Sequence, residues 1–118
     1  MKLAGEQALL RMHLSNFARW HTGPLYEALV ARARHEHLAG ATVLFGSHGY
    51  VEHGRILGGH PNALQVERPV VVEMVDREEH LERFLAAVEP MLAGHAVRVT
   101  LERAHVVHYR GGAQEVAS

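Results

Sequence analysis

The chain contains no cysteine. No disulfide framework is available to it, which agrees with a cytoplasmic setting. Long apolar runs are absent too: nothing approaches the roughly 18 consecutive apolar residues of a transmembrane helix. The opening Met-Lys-Leu-Ala-Gly-Glu lacks the apolar stretch of a secretory signal and reads as a short lead-in. The expected location is cytoplasmic. Charge of one sign is also missing, since 12 Lys and Arg stand against 13 Asp and Glu with no long block of either. A general nucleic-acid binder needs a basic face that displaces counterions from phosphates, so no nucleic-acid partner is expected. Catalytic signatures are equally absent. There is no His-Glu-x-x-His, no Gly-x-Ser-x-Gly and no Walker phosphate loop. The run Gly46-Ser47-His48-Gly49 has the wrong spacing for a nucleophile elbow. The expectation is a protein that is not an enzyme.

What is there reads as a single domain over residues 1–118, with residues 1–7 and 111–118 expected to fray. The hydrophobic fraction, 47%, and the charged fraction, 21%, are ordinary for a globular chain able to bury a core. The unusual count is 11 His, whose charge changes near neutral pH, so mild acid makes this surface more positive.

Residues 9–15 alternate Leu10, Met12 and Leu14 with Arg11, His13 and Ser15, the period of a half-buried strand. Thr22-Gly23-Pro24 signals a helix start. The helix runs to about residue 36, with Leu25, Leu29, Val30 and Ala33 as its apolar stripe. Residues 41–45 read as a second strand. The pattern then dissolves into a long Gly- and His-rich segment, residues 46–65, a functional loop or a ribbon with a shorter tip. The β-branched run 70–75 after Pro69 suggests a central strand covered on both faces. Asp76 and Glu79 resemble a capping box. A second helix follows with Leu81, Phe84, Leu85, Val88 and Leu92 on one face, ended or kinked by Pro90. Residues 97–109 hold one or two further strands. The order βαββαβ gives an α+β, ferredoxin-like fold: a four-stranded antiparallel sheet with two helices on one face. The other face carries Val71, Glu73 and Val75 and is expected to pack on other copies. RNA-recognition domains share this fold but stack bases on strand aromatics, which residues 70–75 lack.

Several ordered blocks carry a resemblance. They are Trp20-His21 before Pro24-Leu25-Tyr26-Glu27, the run Leu38-Ala39-Gly40-Ala41-Thr42-Val43, Gly46-x-x-Gly49-Tyr50, a lone Arg55, Pro69 through Asp76, and Val99-Thr100-Leu101-Glu102. In this succession the chain, from Leu10 to Tyr109, resembles the PII-like family catalogued as a domain of unknown function. The resemblance extends in fold to the nitrogen-regulatory PII proteins and the CutA trimers. It implies a homotrimer with open sheet faces packed together, and three clefts between subunits that hold adenine nucleotides in PII proteins. It also implies a flexible T-loop after the second strand, acting on a partner protein such as a membrane transporter or channel. Departures stand beside it. Ala93-Gly94-His95-Ala96 replaces the PII phosphate-binding Gly-Asp-Gly-Lys, Val51 replaces a Gly, and His37 stands where Gly usually ends the first helix.

Ligand candidates follow. Gly46, Ser47 and Gly49 allow close backbone approach or form a plain turn. Arg55 offers a planar fork for a phosphate or carboxylate. Arg98 and Arg103 contact phosphate in the cleft or face solvent. Trp20, beside His21, stacks on a base or anchors an interface. Glu73, a carboxylate inside an apolar strand, needs Arg11, His13, a neighbouring subunit or a ligand. His48, Glu52, His53 and His60 form the alternative, a CutA-type divalent metal-ion site.

Overall fold

A computed structural model of the chain describes residues 5–50, 56–58 and 66–107. Its first strand, β1 (Gly5–Ser15), buries every second side chain: Ala8, Leu10, Met12 and Leu14 are inside, while Leu9, Arg11 and His13 face the other way. This is the pattern of a strand covered on one face. β1 starts earlier than its apolar alternation indicates. Gly5, Glu6 and Gln7, expected to fray, pair with Val106, His105 and Ala104. Nothing apolar marks Gly-Glu-Gln as strand; these residues are ordered because a partner strand reaches that far.

A short hairpin follows, β2 (Arg19–Trp20) against β3 (Gly23–Pro24), with His21 left-handed at φ 56° in its turn. Helix α1 (Leu25–His35) begins directly after it. Thr22 does not cap this helix. Pro24 occupies the cap position in an extended conformation, and no side chain bonds the first-turn amides. The Leu25 amide instead donates to the Ala18 carbonyl at 2.7 Å. At the other end His37 is left-handed, φ 63°, and the Leu38 amide returns to the Ala33 carbonyl at 3.1 Å. That is a helix stop of the kind Gly usually makes.

The remaining elements are β4 (Thr42–Phe45), β5 (His48–Gly49), β6 (Leu57–Gly58), β7 (Pro69–Asp76), α2 (Glu78–Leu92) and β8 (Arg98–Val106). The main sheet has the order β4-β7-β1-β8 and every neighbouring pair is antiparallel. β1 and β4 are therefore parallel and joined through α1, and β7 and β8 are parallel and joined through α2. Both helices lie on one face. Leu25, Leu29 and Ala33 of α1 and Leu81, Phe84, Val88 and Met91 of α2 form one cluster with Leu10, Met12, Val70, Val72 and Met74. The fold is α+β and ferredoxin-like, as the order of elements indicated. The second helix buries Met91 where the apolar stripe pointed to Leu92, which is only partly covered. Within one chain only the helix side of β7 is covered; Val75, on the other side, is 37% exposed.

Two local expectations are corrected. Pro90 does not end α2, which continues to Leu92. A proline in the last turn forfeits one backbone bond, and burial of Val88 and Met91 outweighs it. Asp76 and Glu79 form no capping box. Arg77 holds the cap position without a side-chain bond, and Glu79 pairs with the Arg77 guanidinium at 3.2 Å. The Asp76 carboxylate serves a wider purpose. Its Oδ2 accepts the Ala39 amide at 2.8 Å, and its Oδ1 accepts the Arg77 amide at 2.6 Å and lies 2.9 Å from His80 Nδ1. One buried side chain thus ties the connection out of α1 to the start of α2.

The Gly-rich segment is not wholly irregular. β5 pairs with β6 as a short ribbon, with Leu57 buried beneath it. Gly58 is the residue this ribbon requires. It has φ +84°, and a Cβ there would lie 2.1 Å from the Ser47 carbonyl oxygen. A Cβ on Gly49 would meet Pro69 Cγ at 3.6 Å, an ordinary contact.

Three outcomes are expected. Gly58→Ala should destabilise the protein by about 2 kcal/mol more than Gly49→Ala in urea unfolding, through a left-handed backbone and a clash; equal midpoints would mean the ribbon is not held. Asp76→Ala should cost about 2–3 kcal/mol, since buried amides lose their acceptor. Burial pushes the Asp76 carboxyl up, but the Ala39 and Arg77 amides and His80 together hold it below its ordinary 3.8. Its folded value being the lower one, its stabilisation is complete above the unfolded value and fades as pH falls through the folded one. Wild type should therefore lose stability on acidification below about pH 4 more steeply than Asp76→Ala, read by unfolding midpoints across that range.

Candidate functional site

β4 starts at Thr42, opposite Glu73, whereas β7 continues to Asp76. Residues 74–76 run on past their neighbour, and that flank of β7 is bordered by the connection 37–41 in place of a strand. The result is an open groove of about 680 Å³. Gln7 and Leu9 of β1, residues 73–76 of β7, His80 of α2 and Val106 of β8 line it together with His37, Gly40 and Thr42.

Asp76 sets the inner wall. By holding the Ala39 amide it fixes the connection against the end of β7, and by engaging Nδ1 it fixes the His80 ring. Glu73 stands on the opposite, uncovered face of the sheet. It accepts a hydrogen bond from Arg11 Nε at 2.8 Å, and Arg11 Nη1 donates to Glu102 Oε1 at 2.9 Å. The hydrogen bond to Glu73, with help from Glu102, raises the Arg11 guanidinium above its ordinary range. Thr42, Glu73, Arg11 and Thr100 are in register across all four strands, so a polar row crosses a face that also carries Leu44 and Val75.

The residues singled out from sequence fall in separate places. Glu73 lines the groove. Gly46, Ser47 and Gly49 follow the far end of β4, about 13 Å from Thr42 at the rise of a strand. Gly46 is required by its own chain: its amide donates to the Pro69 carbonyl at 2.7 Å, and a Cβ would lie 2.9 Å from Pro69 Cγ. Trp20 and His21 sit on the hairpin at the start of α1, the groove being at its end. The Trp20 ring is partly buried against the core and meets the His21 ring edge-on at 4.5 Å. Arg98 is in register with His13 on the uncovered face, and Arg103 with Ala8 on the helix side. An odd spacing on a strand sends them to opposite faces, so the two do not converge. His48 is exposed on β5. Arg55, Glu52, His53 and His60 lie outside the described residues. Among the described residues no group of three or more His, Asp or Glu comes together in a metal-binding arrangement.

Sequence reasoning missed His37, Gly40, Val75, Asp76 and His80 as groove residues. Two signals pointed there. The apolar pattern of β4 is shorter than that of β7, which leaves a flank open. Asp76 and His80 are also spaced i, i+4, which on a helix start brings side chains together.

Comparison with known proteins bears on the same fold. The nitrogen-regulatory PII-like protein CPII of Thiomonas intermedia K12, solved bound to ADP, AMP and bicarbonate, superposes with a TM-score of 0.68. It is 18% identical, over 91% of this chain and 92% of that one. CutA of Synechococcus elongatus PCC7942 superposes with a TM-score of 0.57 at 11% identity, over 97% of this chain and 88% of that one. At such identities the likeness is one of fold. In sequence, a UPF0166 protein of Aquifex aeolicus (strain VF5) is 34% identical over 103 residues, 87% of this chain and 95% of that protein. The DUF190 family, described as an uncharacterized ACR, matches residues 7–106. The chain belongs to the DUF190 family.

Proposed function

We propose that this protein is a non-enzymatic, PII-like regulator that binds an adenine nucleotide in the groove beside residues 73–76. The observation that carries the reading is the groove itself: an open, mainly apolar flank at the end of a strand, in a fold shared with a PII-like protein solved with ADP and AMP. Leu9, Ala41 and Val75 give a base a place to lie, and Gly40 leaves room beside it. A one-sided groove of this openness is half a cleft. In a homotrimer assembled through the uncovered sheet faces, a neighbouring subunit supplies the other half. Leu44, 48% exposed, and Val75 on that face support such packing.

The segment after β4 then acts as the T-loop. Gly46 and the β5–β6 ribbon form its base. Nucleotide occupancy selects among loop conformations, and the loop engages a partner protein, for which a membrane transporter or channel is the proposed class. Selection requires that the ligand prefer one loop state over another. The metal-ion alternative draws no support from the described residues, of which only His48 belongs to its proposed ligand set.

Gly40 provides the test. Gly40 lines the groove, and a Cβ at this position meets nothing within 4 Å, so a side chain there starts without a clash. Calorimetric titration of the wild type with AMP and ADP is expected to show binding, and Gly40→Phe is expected to weaken it at least about tenfold with an unchanged thermal midpoint. Sedimentation should give a trimer. A wild type that binds no adenine nucleotide, or binds it unaffected by Gly40→Phe, rejects the groove as the nucleotide site. A monomer rejects the shared cleft.

A further inference from the structure

We propose that His37 and His80 recognise a phosphoryl group at the mouth of this groove, and that they do so as imidazolium ions, so that ligand binding takes up protons. The proposal rests on the reading of the groove as a nucleotide site.

The first observation is chemical. No Lys or Arg is among the residues lining the groove. Its carboxylates are committed, Glu73 to Arg11 and Asp76 to two amides and His80. An anionic ligand held by this chain's half of the cleft meets two side chains able to become cationic, His37 and His80.

The second observation is geometric. His80 is half-buried, with Nδ1 held 2.9 Å from Asp76 Oδ1. Its Nε2 has no partner among the described residues, so one ring nitrogen is fixed and the other is left for a ligand. The same carboxylate holds the Ala39 amide at 2.8 Å, two residues beyond His37. A single buried side chain therefore positions both flanks that carry the histidines.

The third observation is conformational. His37 adopts φ 63°, a backbone that favours Gly at a helix stop. A residue with a side chain is strained there, and strain of this kind collects where a side chain is needed for function. The left-handed backbone serves the helix stop, which Gly would make without strain, and the His37 ring makes no hydrogen bond or ion pair among the described residues that would account for the side chain.

The charged neighbours are paired with one another. Arg77 and Glu79, on the same helix as His80, pair with each other at 3.2 Å. Glu36, at the end of α1, is held by Arg32 at 3.1 Å and lies 3.7 Å from Arg83 of α2. Asp76 faces His80 from β7 and keeps its charge well into acid.

The test is calorimetric titration of ADP from about pH 6.5 to about pH 8, with adenosine as the uncharged control. ADP affinity is expected to fall about tenfold with rising pH, while adenosine affinity stays flat. The terminal phosphate of ADP itself becomes more anionic over the lower part of this range, which alone would strengthen binding to a fixed cation. Weakening is therefore the signature of the histidines. His80→Gln should flatten the ADP profile. His37→Gly should weaken ADP binding while raising the thermal midpoint, a combination that a purely structural histidine would not give. An ADP affinity that is flat with pH, or that depends on Arg98 or Arg103 and ignores both histidine variants, overturns the proposal and leaves the nucleotide reading intact. If no nucleotide binds, the His37 and His80 ring resonances are followed by NMR with pyrophosphate. A rise in the pH at which they titrate upholds the anion site without a nucleoside, and unmoved resonances overturn it.

Discussion

The carboxylate of Asp76 ties together three parts of the chain: the end of β7, the connection out of α1, and the first turn of α2. It is 6% exposed, and its hydrogen-bond donors compensate the cost of removing a charge from water. The groove depends on this arrangement. If the connection at residues 37–41 were free to move onto the flank of β7, it could extend β4 and close the space. Held by its Ala39 amide, it stops short. The binding surface is thus an edge of sheet kept open by a buried side chain.

Arg11 has an analogous place on the uncovered face. It lies between Glu73 and Glu102 and gives each a partner from within the same chain. A sheet face of Leu and Val alone would adhere to many surfaces in many registers. A polar row through its middle limits how two such faces can meet. Assembly on this face would enclose two carboxylates already hydrogen-bonded to one guanidinium, a triad with one negative charge in excess.

The fold was legible because its signals are periodic. Alternation in β1, the β-branched run of β7 and the apolar stripes of the helices each depend on one burial surface, and the sequence displays them directly. The errors came where long-range partners decide. Gly5 to Gln7 are strand because β8 reaches Val106, and Pro90 stays helical because its neighbours are buried. Glu73 was read correctly as a charge that must find Arg11 or another partner, since an apolar strand leaves little choice. The groove was not read, because it arises from a mismatch in length between two strands far apart in sequence. Asp76 was seen with its sequence neighbour Glu79, when its partners are Ala39 and His80. The glycines at the start of the long segment were read as allowing close approach of a ligand or forming a plain turn, and a Cβ on Gly46 would lie against Pro69 of the same chain.

β1 has a consequence for how the molecule comes into being. It is the first strand of the sheet along the chain, yet both its neighbours in the sheet come late. Arg11 is 62 positions from Glu73 and 91 from Glu102. Until β7 has been made, β1 and β4 have no strand to pair with, because they are not neighbours in the sheet and the partners of both, β7 and β8, lie further along the chain. The N-terminal half is left waiting with its apolar stripe uncovered, and the sheet closes only when the last strand arrives. Pairings this distant are slow to form and expose the chain to other partners meanwhile. The order of strands along the chain and their order in the sheet are at odds, and the sheet is complete only once β8 has been made.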